Sequence, residues 1–335
     1  PGTEPALAVA VATTARVAGA LVISLAGDDP RADPAAITAL AAAQPLTVLG
    51  VGAGLGTASL LAARVAVADT GIQLPGGGQV LFPGHEIVAL YGAPAYPALG
   101  ALGQQGLAAS VARARAVAAQ YSGLTSVPVV PAFEIIATVA SASPGPGDSY
   151  SQVFSAAALR PWVEAAARAG LYVTLDLQPG RANFLAQAKL YQSLLELPNV
   201  GLALDAEWKL QPGQLPLRQI GSVSIAEVNS VASWLAGVTA TYHLPQKLLE
   251  LHEFRLSMLQ DIERLDTSYD DLAIVINMDG QGSPGAKRQT WQAVVAGAPT
   301  GVYFGWKDFY VKDTPMLGPT QTIKQYPAPV LISYQ

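Results

Sequence analysis

The stretch "VGLALDAEWKL" (residues 200–210) decides the fold. An apolar run stops abruptly at two carboxylates, Asp205 and Glu207. Successive strand side chains point to opposite faces. Leu202 and Leu204 therefore share one face, while Ala203, Asp205 and Glu207 share the other. Taken alone, D-x-E at a strand end is either a catalytic acid pair or a strand leaving the core for water. The parity of the other apolar runs decides between the two.

Eight such runs follow residue 86: 87–92, 127–140, 171–177, 200–207, 247–254, 272–279, 301–307 and 328–334. Most gaps between them carry helical patterns, such as "AALRPWVEAAARAG" and "SIAEVNSVASWLAGVTATY". Alternating strands and helices predict a parallel sheet. Eight repeats within ~250 residues predict an α/β fold closed as a (β/α)8 TIM barrel. In such a barrel one strand face meets the helices and the other faces the lumen. Val173, Leu175 and Leu177 oppose Tyr172, Thr174 and Asp176. Leu249 and Leu251 oppose Glu250 and His252, and Ile274 and Ile276 oppose Asn277 and Asp279. Tyr91, Glu134, Tyr303 and Lys307 obey the same rule. Strands merely surfacing into water have no reason to agree in parity, so the polar ends converge on the barrel mouth.

Barrel active sites lie at that mouth. Glu207, Asp205, Glu134, Asp176 and Asp279 are the candidate catalytic carboxylates. Tyr91, Trp208, His252, Tyr303, Trp306 and Lys307 are the candidate substrate-binding residues. Aromatic faces stack on sugar C–H surfaces, and carboxylates bond hydroxyls and carry protons. Glycoside hydrolysis requires two carboxyl groups, ~5–5.5 Å apart for retention or ~6.5–9.5 Å for inversion. The expectation is a glycoside hydrolase acting on a cell-wall or environmental polysaccharide. The alternatives are a glycan-binding barrel without catalysis, or a hydrolase using the carboxylates as oxygen ligands for a divalent metal. Each residue also has a plainer role open to it: Asp176 and Asp279 in turns, His252 in the core, Lys307 on the surface. His85 precedes the first strand, at the opposite end, and reads as structural.

Composition narrows the classes. The 335 residues are 51% hydrophobic and 13% charged, with a formal net charge of −5. That balance argues against a nucleic-acid partner. No cysteine is present, which removes disulfides and thiolate metal sites. With three histidines, a multi-histidine metal site is not expected, and no cofactor is. "PALAVAVATTARVAGALVISLAG" (5–27) is long and apolar, but Thr13, Thr14 and Arg16 split it into a helix and a strand, so no transmembrane segment is expected. The chain begins at Pro1, which reads as a processed or truncated chain. High Ala, Gly and Pro without Cys suits a secreted or envelope-associated protein of a high-GC bacterium.

Residues 1–75 read as a small α/β subdomain before a barrel over 76–335. Helices are expected near 5–17, from Pro34 after the cap Asp33, and over 56–68, with strands at "ALVISLAG" and "LTVLGVG". "TGIQLPGGGQVLFPG" (70–84) reads as a linker or loop. "GVGAGLG" (50–56) loosely fits dinucleotide spacing, but Asp69 ends a helix rather than a second strand, so the glycines read as turn and packing positions.

Two stretches resemble known families. "GALVISLAGDDPRADPAAITALAAAQPLTVLGVG", around residues 18–52, resembles one unit of the type 2 cell-wall-binding repeats of Gram-positive surface proteins, which implies a cell-wall partner. The segments "FPGHEIVALYG", "PAFEIIATVA", "LALDAEWKL" and "INMDGQG" are similar to secreted or lipoprotein-type TIM barrels of actinobacteria, which implies a location and no particular reaction. D-x-E also resembles the end of the D-x-x-D-x-D-x-E signature of chitinase-like (family 18) glycosidases. That likeness implies Glu207 as the acid and Asp205 as its partner. Ala203 stands where the signature carries a further carboxylate, so Glu134, Asp176 or Asp279 is an equal candidate for the second catalytic group.

Overall fold

The computed structural model describes residues 5–335. Eight parallel strands form the barrel and are numbered here without the short outlying strands. They are β1 (Glu86–Gly92), β2 (Val129–Ala140), β3 (Tyr172–Leu177), β4 (Val200–Asp205), β5 (Lys247–His252), β6 (Leu272–Met278), β7 (Tyr303–Asp308) and β8 (Leu331–Tyr334). Each pairs in parallel with the next, and β1 pairs with both β2 and β8, which closes the sheet. The (β/α)8 expectation holds, with strand bounds within a few residues of the apolar runs.

The N-terminal helices are α1 (Pro5–Ala18), α2 (Pro34–Ala43) and α3 (Ala58–Ala68). Outside the barrel lie α4 (Leu107–Ala119), α5 (Ala156–Arg168), α6 (Phe184–Leu190), α7 (Gln192–Leu195), α8 (Ile225–Thr241), α9 (Pro284–Gly297) and α10 (Pro319–Thr322). Between β5 and β6 a long loop replaces the helix; its strand Leu259–Gln260 pairs with Val223–Ser224. The outward strand face packs as the parity predicts: Val173, Leu175, Leu202, Leu204, Leu249 and Leu251 join Val163, Leu194, Val228 and Val231 in one apolar layer.

The lumen is divided by depth. Its N-terminal half is apolar, built from Ile87, Ala89, Val130, Ala132, Tyr172, Leu248, Ala273, Val275 and Leu331. Gly201 leaves room there, since a Cβ would stand 2.9 Å from the Tyr172 hydroxyl and 2.8 Å from the Leu248 carbonyl. Leu74, Leu81 and Phe82 close this half from below. The expected linker over 70–84 is therefore the barrel floor. It has no helix or strand, yet Gln79 is buried and donates to the carbonyls of Val67 and Ile72, and the Leu81 N–H donates to Gln246. His85 has Leu81 O and Gly77 O at 2.9 and 2.8 Å, a structural place in this floor, as expected.

The N-terminal unit departs from expectation. Asp33 caps α2 by accepting the N–H groups of Ala35 and Ala36, and Thr57 caps α3. The strands expected at "ALVISLAG" and "LTVLGVG" do not form, so the described part of the unit is helices joined by loops. A strand needs a neighbouring edge to satisfy its backbone; here Leu21, Leu46 and Leu49 stand exposed instead. A small core of Ile37, Leu40, Val65 and Ala68 holds α2 to α3. Arg31 and Arg64 tie the unit to the barrel through Asp270, at 2.7 and 2.6 Å. In "GVGAGLG", Gly52, Gly54 and Gly56 all adopt positive φ, in keeping with turn positions. No helix among the described residues is long and apolar enough to cross a membrane.

Candidate active site

The upper lumen is polar because the inward positions there are polar. Strand register sets Asp205 beside His252 and His252 beside Asn277, while Glu134 lies between Tyr91 and Thr174. Glu134, Asp176, Asp205, Glu250, His252, Asn277 and Lys307 are all buried. They form two connected groups.

The inner group surrounds His252. Its Nε2 lies 3.0 Å from Glu134 Oε1, 3.5 Å from Glu250 Oε1 and 3.9 Å from Asp176 Oδ1. Its Nδ1 is 3.1 Å from Asp279 Oδ2. The Tyr91 hydroxyl donates to Asp176 Oδ2 and accepts from Gln178 Nε2, both at 3.1 Å. Asn277 Nδ2 donates to Glu250 Oε1 at 2.5 Å. Lys307 Nζ lies 3.2 Å from the centroid of the Tyr91 ring, a cation–π contact.

The outer group is Asp205, Glu207 and Asp279, which each place a carboxyl oxygen within 4.8 Å of the other two. β4 ends at Asp205, whose side chain accepts the Glu207 N–H at 3.1 Å and caps a short 3₁₀ turn over Ala206–Trp208. The turn carries Glu207 to the half-buried rim. There it lines a depression of about 360 Å³ with Trp208, Leu217, Arg218, Ile220 and Arg255.

Burial and mutual charge move the protons. Burial raises Asp205 well above the carboxylate range, with Asp176 and Asp279 adding repulsion. Burial also raises Glu207, and Asp279 adds to it. Burial lifts Asp176 to about 6 and Glu250 to about 8. Glu134 goes the other way: burial opposes its charge, but Lys307 and His252 together hold it below its ordinary value. Burial and Lys307 disfavour a charged His252, yet the carboxyl groups of Asp279 and Glu134 beside it outweigh both and raise it.

Of the residues expected at the site, Glu134, Asp176, Asp205, Glu207, Asp279, Tyr91, His252 and Lys307 converge, and Trp208 lines the adjoining depression. Two do not. Tyr303 shares the inward parity but starts β7, so its hydroxyl donates to Phe82 O on the floor. Trp306 has the opposite parity; it is buried against Trp291 of α9, and its Nε1 donates to Asp308. Neither lines the mouth. Glu250 and Asn277 also reach the site, and inward parity in the fifth and sixth runs is the one sequence signal that marks them. Gln178, which donates to Tyr91, and Ser333, whose hydroxyl lies 3.4 Å from Asn277 Nδ2, carry no sequence signal beyond position.

The class defined by this fold and site is a (β/α)8 barrel with a carboxylate-lined interior. No family model matches the chain, and no curated protein does. Among solved structures, it is similar to a mutant cellobiohydrolase Cel6A from Humicola insolens in complex with methyl-tetrathio-alpha-D-cellopentoside. That similarity has 13% identity and a TM-score of 0.30, over 84% of this chain and 71% of that one. A score that low carries no argument about the reaction here.

Proposed function

We propose that the protein is a glycoside hydrolase acting on a cell-wall or environmental polysaccharide outside the cytoplasm. The observation that carries this reading is the outer carboxyl group: Asp205, Glu207 and Asp279, with oxygens within 4.8 Å of one another, beside a depression that Glu207 and Trp208 both line. Carboxyl oxygens that close fall toward the shorter of the two glycosidase geometries, ~5–5.5 Å for retention against ~6.5–9.5 Å for inversion.

Glu207 is the general acid in this scheme. It is the member of the group that also lines the depression, and its raised pKa keeps a proton available for the leaving oxygen. Asp279 faces it as nucleophile, held through Oδ2 by His252. Asp205 holds the Glu207 backbone in place, and repulsion from Glu207 helps to raise the Asp205 carboxyl. Trp208 offers an aromatic face to the sugar. Glu134 and Asp176 belong to the inner group, which leaves Asp279 as the second carboxylate of the pair.

The test is reducing-end release from bacterial wall and environmental polysaccharides. Glu207→Gln and Asp279→Asn should each lower kcat about 10²–10⁴-fold, with circular dichroism that shows the fold intact. Release by Glu207→Gln at the wild-type rate overturns the assignment. Saturable glycan binding without new reducing ends favours the non-catalytic alternative.

A further inference from the structure

We propose that the inner group is a metal site: a divalent transition-metal ion held by Glu134, Asp176 and the Nε2 of His252. One ligand atom from each of the three lies within 4.8 Å of the other two. Proximity of acids alone would mean little. The second observation is what these atoms lack.

Both oxygens of Glu134, Oδ1 of Asp176 and Nε2 of His252 have no hydrogen-bond partner among the described residues, although all three residues are 0% exposed. Nε2 lies 3.0 Å from Glu134 Oε1, but the contact lacks hydrogen-bond alignment. An unmet buried polar atom is costly, and an unmet buried charge more so. The remaining atoms of two of these residues are held by neighbours. Tyr91 donates to the other Asp176 oxygen, and Asp279 takes the other His252 nitrogen. With Nδ1 against a carboxylate, a metal ion can take Nε2 in place of its proton, the usual support for a metal-bound histidine. Glu250 repeats the pattern: Asn277 holds Oε1, and Oε2 is unmet.

Charge points the same way. Lys307 faces five carboxyl groups, Glu134, Asp176, Asp205, Glu250 and Asp279, more than one ammonium can pair with. Lys307 also makes no ion pair within 4 Å among the described residues, its Nζ lying over Tyr91. One imidazole with carboxylate oxygens suits zinc or manganese better than the all-oxygen shells of calcium or magnesium. This site does not rest on the glycosidase reading, since none of its three ligands belongs to the outer carboxyl group. Asp279 links the two, so the ion would also position the nucleophile assigned above.

The experiment uses the whole chain, stripped with a chelator, dialysed and re-equilibrated with zinc or manganese. Metal content should return to one equivalent, and Tm should rise with metal concentration. Glu134→Gln and Asp176→Asn should abolish that equivalent, and Tyr91→Phe should weaken it about tenfold. Glu164→Gln, on the exposed face of α5, should bind like wild type. Cobalt in the wild-type protein should give an absorption spectrum of nitrogen–oxygen coordination, a readout that needs no variant to fold. A stripped wild type that takes up no metal, a free-cobalt spectrum, or a folded Glu134→Gln that binds normally overturns the site; extra protons would then satisfy the nest.

Discussion

Glu86 opens β1 and is 4% exposed, with one carboxyl oxygen unmet. Burial pushes its pKa up to about 8 from 4.5. The folded chain therefore binds a proton there that the unfolded chain releases. The resulting stabilisation is complete below about pH 4.5 and is lost as pH rises through about 8. Glu86→Gln keeps a neutral side chain at every pH. The variant should match wild type in Tm at pH 5 and exceed it at pH 9; parallel Tm–pH curves would contradict this. Lys247 has the opposite sign. Burial lowers it to about 7 while its ammonium donates to Leu197 O and Val200 O, so its contribution improves as pH rises above 7. Neighbouring residues also show how sharply parity divides roles: Trp306 enters the helix layer, and Lys307 enters the lumen.

At the scale of elements, the segment before β1 has no helix or strand yet holds a consequential position. Phe82 is 2% exposed, lies 5.2 Å from the Tyr303 ring and caps the apolar half of the lumen. Removing its ring leaves a cavity that a closed barrel is poorly able to collapse. Phe82→Ala should cost about 3–5 kcal/mol in urea unfolding, and a loss under ~1 kcal/mol would show that the floor is not integral. The Gly- and Pro-rich sequence around it reads as a loop, and locally it is one. Its burial is invisible in periodicity because the contacts come from all sides of the barrel at once. The two strands expected near 20–27 and 46–52 fail for the converse reason: their β-prone residues are real, but no sheet edge meets them.

At the scale of the whole molecule, the N-terminal unit and barrel meet through Asp270, which binds both Arg31 and Arg64. Arg31 is 2% exposed and Asp270 30%, so the link is worth less than a fully buried pair. Asp270→Asn should lower stability by roughly 1–3 kcal/mol and speed proteolytic release of the N-terminal helices. Unchanged proteolysis would place the attachment elsewhere.

The sequence by itself determined that eight strands close into a barrel and that their inward ends turn polar at one mouth. Both follow from a period of two, which is local and survives any change of surroundings. It also named most of the carboxylates that converge. Depth along the lumen was decided by the tertiary structure: Tyr303 has the right parity and stands at the floor because β7 starts there. Only closure of the barrel sorted the acids into an inner group around His252 and an outer group at Glu207. That sorting depends on distances across the lumen, between residues tens to more than a hundred positions apart, and those distances are set by strand register and by the turn that Asp205 caps.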